Sequence, residues 1–335
     1  SNKQILKIPF LTLVKVGLTS KYLETFALIL VFFNTIYENL GNFIKENFSS
    51  YFPDDTTIDN YTSSFYLAQT VIISLLFIFF AVLIVNLTRT LIKFFDFTVE
   101  KQNSSLLLKY GLFTTKNTLL NPNKVQLLKL SQNYIQKKLN ITNLKIQQAT
   151  SSDNPKAVKD SGVEVPGCNN AEKEQILALI FNSKIEPTFT LKPHIKKWFT
   201  GVFFGVLFPI TIVLVFQLLA DFFMPVPLYL GLSVYFVLGV LLQWLLFKNY
   251  QLSVSQQYVI KSHGAWDKDQ VIVETHKIQT LKTSQFFWQK RHNIGSVSLY
   301  TAGGNFSFTT ANFKTINQLV NQWLYQVETS TKNWM

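Results

Sequence analysis

The sequence predicts an α+β membrane protein: two transmembrane helical hairpins, each followed by a small β-sandwich or barrel closed by a C-terminal helix. Three observations carry this prediction. Four apolar segments occur in two close pairs. The stretch after each pair reads as short strands and ends in an amphipathic helix. The two strand-rich stretches align without a gap at an offset of 153. Of 335 residues, 15% are aromatic and only 15% are charged, against ~25% charged in a typical soluble chain. That balance excludes intrinsic disorder, which needs high charge and few aromatics. The length fits about two domains.

The chain opens with Ser1, and its only methionines are Met224 and Met335, so it reads as processed or as a fragment of something longer. Residues 1–21 are expected to lie at the membrane interface. Ile5 to Leu18 alternates apolar residues with Lys7 and Lys15 and reads as a juxtamembrane helix. No small-residue cleavage site follows, so it is not a signal peptide.

Residues 22–93 are expected to form the first hairpin. Tyr22 to Ile44 is its weaker arm, interrupted by Glu24 and Glu38, which can sit at opposite interfaces. Phe65 to Leu87 is 23 residues without a charge, enough to cross a ~30 Å hydrocarbon core. Residues 184–247 supply a basic flank and the second hairpin, Trp198 to Leu219 and Leu228 to Phe247. Pro209 is the only internal breaker in a strong span, and the amides Asn34, Gln69, Gln217 and Gln243 are expected to link helices. Lys3, Lys7, Lys15, Lys21, Arg89, Lys93, Lys192, Lys196, Lys197 and Lys248 all flank the same side, whereas the hairpin turns carry Asp54, Asp55, Asp59 and Asp221. By the positive-inside rule both soluble regions and both termini are cytoplasmic. The net charge of +12 is read as this rule, not as a nucleic-acid surface.

The soluble regions are 94–183 and 248–330, with a tail at 331–335. Gly111 falls on Gly264. Lys124-Val125-Gln126-Leu127-Leu128-Lys129-Leu130-Ser131-Gln132 falls on Lys277-Ile278-Gln279-Thr280-Leu281-Lys282-Thr283-Ser284-Gln285. Gln136-Lys137 falls on Gln289-Lys290, and Asn140-Ile141 on Asn293-Ile294. Twelve identities fall in the 40 positions from Gly111 to Thr150, which marks a duplication. In the second copy, strands are expected at Tyr250 to Val254, Tyr258 to Ser262, Val271 to Glu274, Ile278 to Lys282, Val297 to Tyr300 and Asn305 to Thr309. Gly303-Gly304 signals a hairpin. The apolar stripe Phe313, Ile316, Leu319, Val320, Trp323, Leu324 and Val327 predicts the closing helix. The first copy closes over Ala171 to Phe181, after a polar insertion from Thr150 to Asn170.

A membrane hairpin, a strand, a Gly turn, the Lys-x-Gln-x-Leu-Lys-x-Ser-Gln stretch, a basic mini-helix, an Asn-Ile turn and a closing helix together resemble the bacterial pleckstrin-homology-like membrane proteins of the YdbS/YdbT type. The resemblance covers most of the chain and includes the stretch Val14 to Ser20. It implies a pleckstrin-homology-like fold for each soluble region and a location in the bacterial plasma membrane. It implies no catalytic residue. The role expected is a non-catalytic scaffold, assembly or membrane-organising module, in envelope stress. The alternative is a carrier that binds a lipid or small molecule.

The residues offer little else for chemistry. His194, His263, His276 and His292 have no partner at ligand spacing and read as surface or turn residues. Cys168 is the only cysteine, which excludes an internal disulfide and a multi-cysteine metal site, and it reads as a loop or cap residue. No cofactor and no metal is expected. The candidate contact element is the mini-helix: Phe286, Phe287, Trp288, Lys290 and Arg291 in the second copy, and Tyr134, Ile135, Lys137 and Lys138 in the first. Bulky rings beside a basic pair suit either the anionic head groups of the bilayer or the facing copy. The bland alternative is rings packed in the core beside solvated charges. The partners expected are the lipid bilayer and either a further protein or a second copy of this chain.

Overall fold

A computed structural model describes residues 3–20, 22, 24–27, 31, 64–149, 162–181, 185–219 and 226–330. Packing divides the chain into two compact units. One holds Gln4–Val99 with Leu108–Asn117, and the other holds Ser1–Lys3, Glu100–Leu107 and Thr118–Met335.

In the first unit, strand β1 (Lys3–Lys7) leads through Ile8 and Pro9 to helix α1 (Phe10–Thr19). The single helix expected over Ile5 to Leu18 is therefore shorter. Pro9 lacks the N–H that a continuing helix needs and stands just outside its first turn. The long helix α2 (Ser64–Phe94) follows. Leu13 and Val16 of α1 are buried, and a Cβ on Gly17 would stand 3.0 Å from the Leu87 Cα of α2. Only a residue without a side chain lets the two backbones come this close. Asn86 ties α2 to the chain after α1, donating to the Ser20 carbonyl at 2.9 Å and accepting from the Thr25 hydroxyl. Residues 22, 24–27 and 31 are helical; the rest of the weaker arm, with Asn34, lies outside the described residues. Beyond α2 come β2 (Thr98–Gln102), β3 (Ser105–Tyr110) and β4 (Lys116–Leu120), giving a sheet of order β1-β2-β3-β4.

In the second unit the chain continues past the 3-10 turn Pro122–Lys124. It runs through β5 (Val125–Asn133), the mini-helix α3 (Tyr134–Lys138), β6 (Thr142–Gln148), β7 (Val163–Cys168) and α4 (Asn170–Ile180). Strand β7 lies inside the stretch expected to be a polar insertion. Cys168 ends it fully buried, not in a loop, and burial pushes its thiol well above the usual range. Asn169 then caps α4 in a reciprocal box with Glu172.

Next come β8 (Phe189–Leu191), α5 (Lys196–Leu219) and α6 (Val226–Asn249). The second body follows with β9 (Gln251–Val254), β10 (Tyr258–His263), β11 (Asp267–Glu274) and β12 (Thr280–Ser284). The mini-helix α7 (Phe287–Lys290), β13 (Ile294–Thr301), β14 (Gly304–Asn312) and α8 (Phe313–Thr329) complete it. Ile316, Leu319 and Trp323 of the predicted stripe bury α8 against Val297, Leu299 and Phe308.

Three helices among the described residues are long and apolar enough to cross a membrane: Leu76–Phe94 within α2, α5, and Leu228–Asn249 within α6. Their apolar side chains lie almost wholly on the outside, as helices solvated by lipid require. In α5 the turn Phe203–Leu207 is π-helical. Pro209 has no N–H to give to the carbonyl of Gly205, and the Tyr235 hydroxyl of α6 donates to that carbonyl at 2.7 Å. Gln243 of α6 fills the notch at Gly201 and Gly205, where a Cβ would meet its amide at 2.4 and 2.8 Å.

The repeat is visible in matching bonds. Gln132 donates to the Ile141 carbonyl at 2.8 Å, and Gln285 donates to that of Ile294 at 3.0 Å. Gln136 and Gln289 each accept at 3.1 Å from the backbone N–H three residues earlier. Asn140 and Asn293 both adopt positive φ, 54° and 51°, a conformation asparagine tolerates well.

Among the described residues no sheet closes into a barrel. The described strands form the four-stranded sheet above, a seven-stranded sheet of order β7-β6-β5-β11-β10-β9-β8, and a three-stranded sheet, β12-β13-β14.

Candidate functional site

The seven-stranded sheet joins the two copies. Strand β5 of the first pairs antiparallel with β11 of the second, from Asp267 opposite Asn133 to Ile272 opposite Leu128. Residues directly opposite share a face, so the register fixes which side chains meet.

On one face, Leu127 of β5 enters the second body's core beside Val271, Val273 and Leu252. On the other face, Leu128 and Leu130 lie opposite Ile146 and Leu144 of β6, and all four are buried. The apolar sides of the one sheet are therefore opposite in its two halves. Helix α4 lies over the second of these faces. It shares with β5, β9, β10 and β11 a groove of about 740 Å³, whose apolar lining includes Leu130, Leu177, Ile260 and Ile272. Lys173, Glu174 and Glu186 give it a charged rim. Phe181, just past α4, meets the Tyr258 ring edge-on at 5.2 Å.

Polar contacts lock the seam. Lys129 pairs with Asp269 at 2.8 Å. Lys277, the buried first residue of the repeated motif, contacts Glu274 and donates to the Val125 carbonyl at 2.6 Å. Gly303, in the β13–β14 turn, lies on the first copy: a Cβ there would meet the Cβ atoms of Gln126 and Gln147 at 2.7 and 3.4 Å. A cluster of ionisable groups surrounds Lys129. Burial, then Lys129, holds the Lys261 ammonium below its usual range. Burial, then Lys261, lowers the His263 imidazole against the opposing pull of Asp269, 3.9 Å away. Burial, then Asp269, raises the Asp267 carboxyl. His263 thus belongs to the seam, where sequence alone reads a turn residue.

The second body is also fastened to the start of α5. The Tyr250 ring stacks on Phe308 at 4.7 Å and carries Lys197 at 3.9 Å from its centroid. Its hydroxyl accepts from the Thr309 N–H at 2.9 Å, and Lys197 donates to the Thr309 hydroxyl at 2.8 Å.

The two mini-helices have different surroundings. In the first, Tyr134 meets Trp266 of the second copy, ring centroids 5.8 Å apart, under a cation–π contact from Lys138. Ile135, Lys137 and Lys138 are exposed. In the second, Phe286, Phe287 and Trp288 are all exposed; Phe286 stacks on Trp288 at 4.7 Å, and Phe287 meets Trp288 edge-on at 4.7 Å. Lys290 and Arg291 are exposed beside them. The sequence singles out these rings but misses Lys277, Asp269 and Gly303. The repetition of Lys124 at Lys277 and the Gly303-Gly304 turn mark two of the three, though neither tells of the contact across the seam.

Apolar spans bearing a duplicated strand-rich body with a closing helix define a membrane-anchored, two-copy module. A family model described as the bacterial PH domain matches residues 62–184 and again 204–327. The chain belongs to the bacterial PH domain family and is a membrane protein carrying two copies of that domain. It is similar to the UPF0699 transmembrane protein YdbT of Bacillus subtilis (strain 168), 23% identical over 328 residues that cover 85% of this chain. The chain spans 63% of that relative's length.

Proposed function

We propose that this protein is a non-catalytic scaffold of the bacterial plasma membrane, with both PH domains and both termini on the cytoplasmic side, that assembles partners through the edges of its sheets. The observation that carries this reading is the β5–β11 seam. Its strand ladder, its Lys129–Asp269 pair and its Tyr134–Trp266 contact are the apparatus of protein–protein recognition by strand addition. Orientation rests on the flanking lysines. The test is chemical crosslinking in native membranes followed by purification of the full chain. A protein captured in fixed stoichiometry supports the scaffold, and its absence counts against it.

A second reading, contact with anionic lipid, is favoured by the exposed Phe286, Phe287 and Trp288 beside Lys290 and Arg291. Each basic residue near an anionic leaflet contributes about 1 kcal/mol. Loss of the added affinity for phosphatidylglycerol bilayers in K290E/R291E tests it, and unchanged binding removes it. The rival carrier role would have to use the groove beneath α4, and lipid co-purifying there would support it.

A further inference from the structure

The seam has two halves, and the duplication supplies each half twice. The offset of 153 carries β5 onto β12 and β11 onto β4. Both are outer strands of their sheets, so each presents a row of backbone groups with no neighbouring strand on that side among the described residues. The apolar contacts of the seam recur at these edges as exposed side chains. Tyr134, which meets Trp266, corresponds to Phe287, 79% exposed. Trp266 corresponds to Phe113, 82% exposed. Ile272, 3% exposed in the seam, corresponds to Leu119, 57% exposed.

Charge is the feature that does not carry over. The pair Lys129–Asp269 becomes Lys282 on β12 and Lys116 on β4, both exposed. Lys290 and Arg291 add to the positive charge near β12. A second copy of this chain offering its β4 edge to β12 would bring lysine to lysine at the position where the seam has its ion pair. An edge strand with a carboxylate there reproduces the seam.

We infer that β12, with Lys282 and Phe287, is a docking edge for an acidic edge strand of another PH-domain unit, paired antiparallel in the register of β5 with β11. This deepens the scaffold reading by naming the surface and the kind of partner.

A charge swap on the full chain tests it, because K116D gives this protein's own β4 edge the missing acid. Self-association in a neutral detergent is followed by sedimentation for wild type, K116D, K282D and K116D/K282D. The three variants substitute exposed side chains and leave the cores intact. K116D and K282D each bring acid opposite lysine and are expected to associate about tenfold more tightly than wild type. The double variant brings acid to acid and is expected to return to the wild-type level. F287A in the K116D background is expected to remove most of the gain. Equal association of K116D and wild type overturns the proposal, as does a double variant that assembles as well as K116D. Wild type assembling as strongly as K116D would make the occupant a second copy and end the requirement for acid. If F287A changes only binding to phosphatidylglycerol vesicles, the bilayer is the occupant instead. The crosslinking experiment is independent of these readouts, so a failed swap and a failed scaffold reading are separable.

Discussion

The Nζ of Lys277 donates to the carbonyl oxygen of Val125 at 2.6 Å, joining residues 152 positions apart. Each of these residues lies next to the other's counterpart in the duplication: Lys124 precedes Val125, and Ile278 follows Lys277. The motif that betrays the repeat in the sequence thus also holds the repeat together in space.

Lys277→Met should be far more damaging than Lys124→Met. The first leaves Glu274 without its buried cation and Val125 without its donor, a loss of about 3 kcal/mol. Lys124 is exposed, so its loss should cost less than about 0.5 kcal/mol. Chemical denaturation of the two variants in detergent measures the difference.

Gly303→Val should pry the copies apart. The new side chain would have to enter the space held by the Gln126 and Gln147 Cβ atoms, and overpacking of this kind costs about 1–3 kcal/mol. Fluorescence of Trp266 would report the opening. Gly231, which meets nothing within 4 Å, is the control.

Stability should fall as the solution is acidified through the range below pH 6.5. In the unfolded chain His263 titrates at its ordinary value, 6.5, whereas in the fold its pKa is lower, through burial and the nearby Lys261 and Lys129, with Asp269 opposing. Between those two values the unfolded state binds more protons, so stability is full above pH 6.5 and is lost as pH drops toward the folded value. His263→Gln should flatten this part of the profile. Asp267 acts in the opposite sense at lower pH. Its raised carboxyl takes up a proton more readily in the fold, so its contribution declines as pH climbs above 3.8.

Tyr235→Phe should destabilise the packing of α6 on α5 by about 1 kcal/mol, because the Gly205 carbonyl then has no donor from Tyr235. The effect should vanish in a Pro209→Leu background, where residue 209 regains an N–H that can reach that carbonyl. A double-mutant cycle on thermal unfolding reads this coupling; additive effects would disprove the link between Pro209 and Tyr235.

Cys168 should resist maleimide in the folded protein and react on denaturation, since it is fully buried and its thiol holds its proton. It is therefore a silent background for cysteines introduced at Phe113 or Lys268. Membrane-impermeant reagent on intact cells should reach neither site before permeabilisation if both PH domains face the cytoplasm.

Local features of this fold are legible in the sequence, and those that join distant strands are not. The Gly111 and Gly264 turns and the Ile316–Trp323 stripe arise from neighbours within a few residues, and each leaves its mark in spacing or residue type. Strand β7 escapes notice because Val163 to Cys168 lies in a polar stretch and includes Pro166 and Gly167. The seam escapes because a strand that pairs within its own body and one that pairs with the next body have the same alternation. Which edge finds which partner depends on a fold already formed. The apolar mini-helix is evident from Phe286 to Trp288, but the structure is needed to see that Tyr134 has a partner in Trp266 and that Phe287 stands clear of its own core.

Because the greasy side of the long sheet switches over at the seam, neither copy can be cut free as a tidy domain. Severing the chain near residue 185 would take Leu127 away from the second body and strip β11 of its β5 neighbour from Asp267 to Ile272. A fragment made that way would present a sticky, half-finished rim. Aggregation of either half produced alone would therefore report on the missing sibling and say nothing of the intact protein's own solubility.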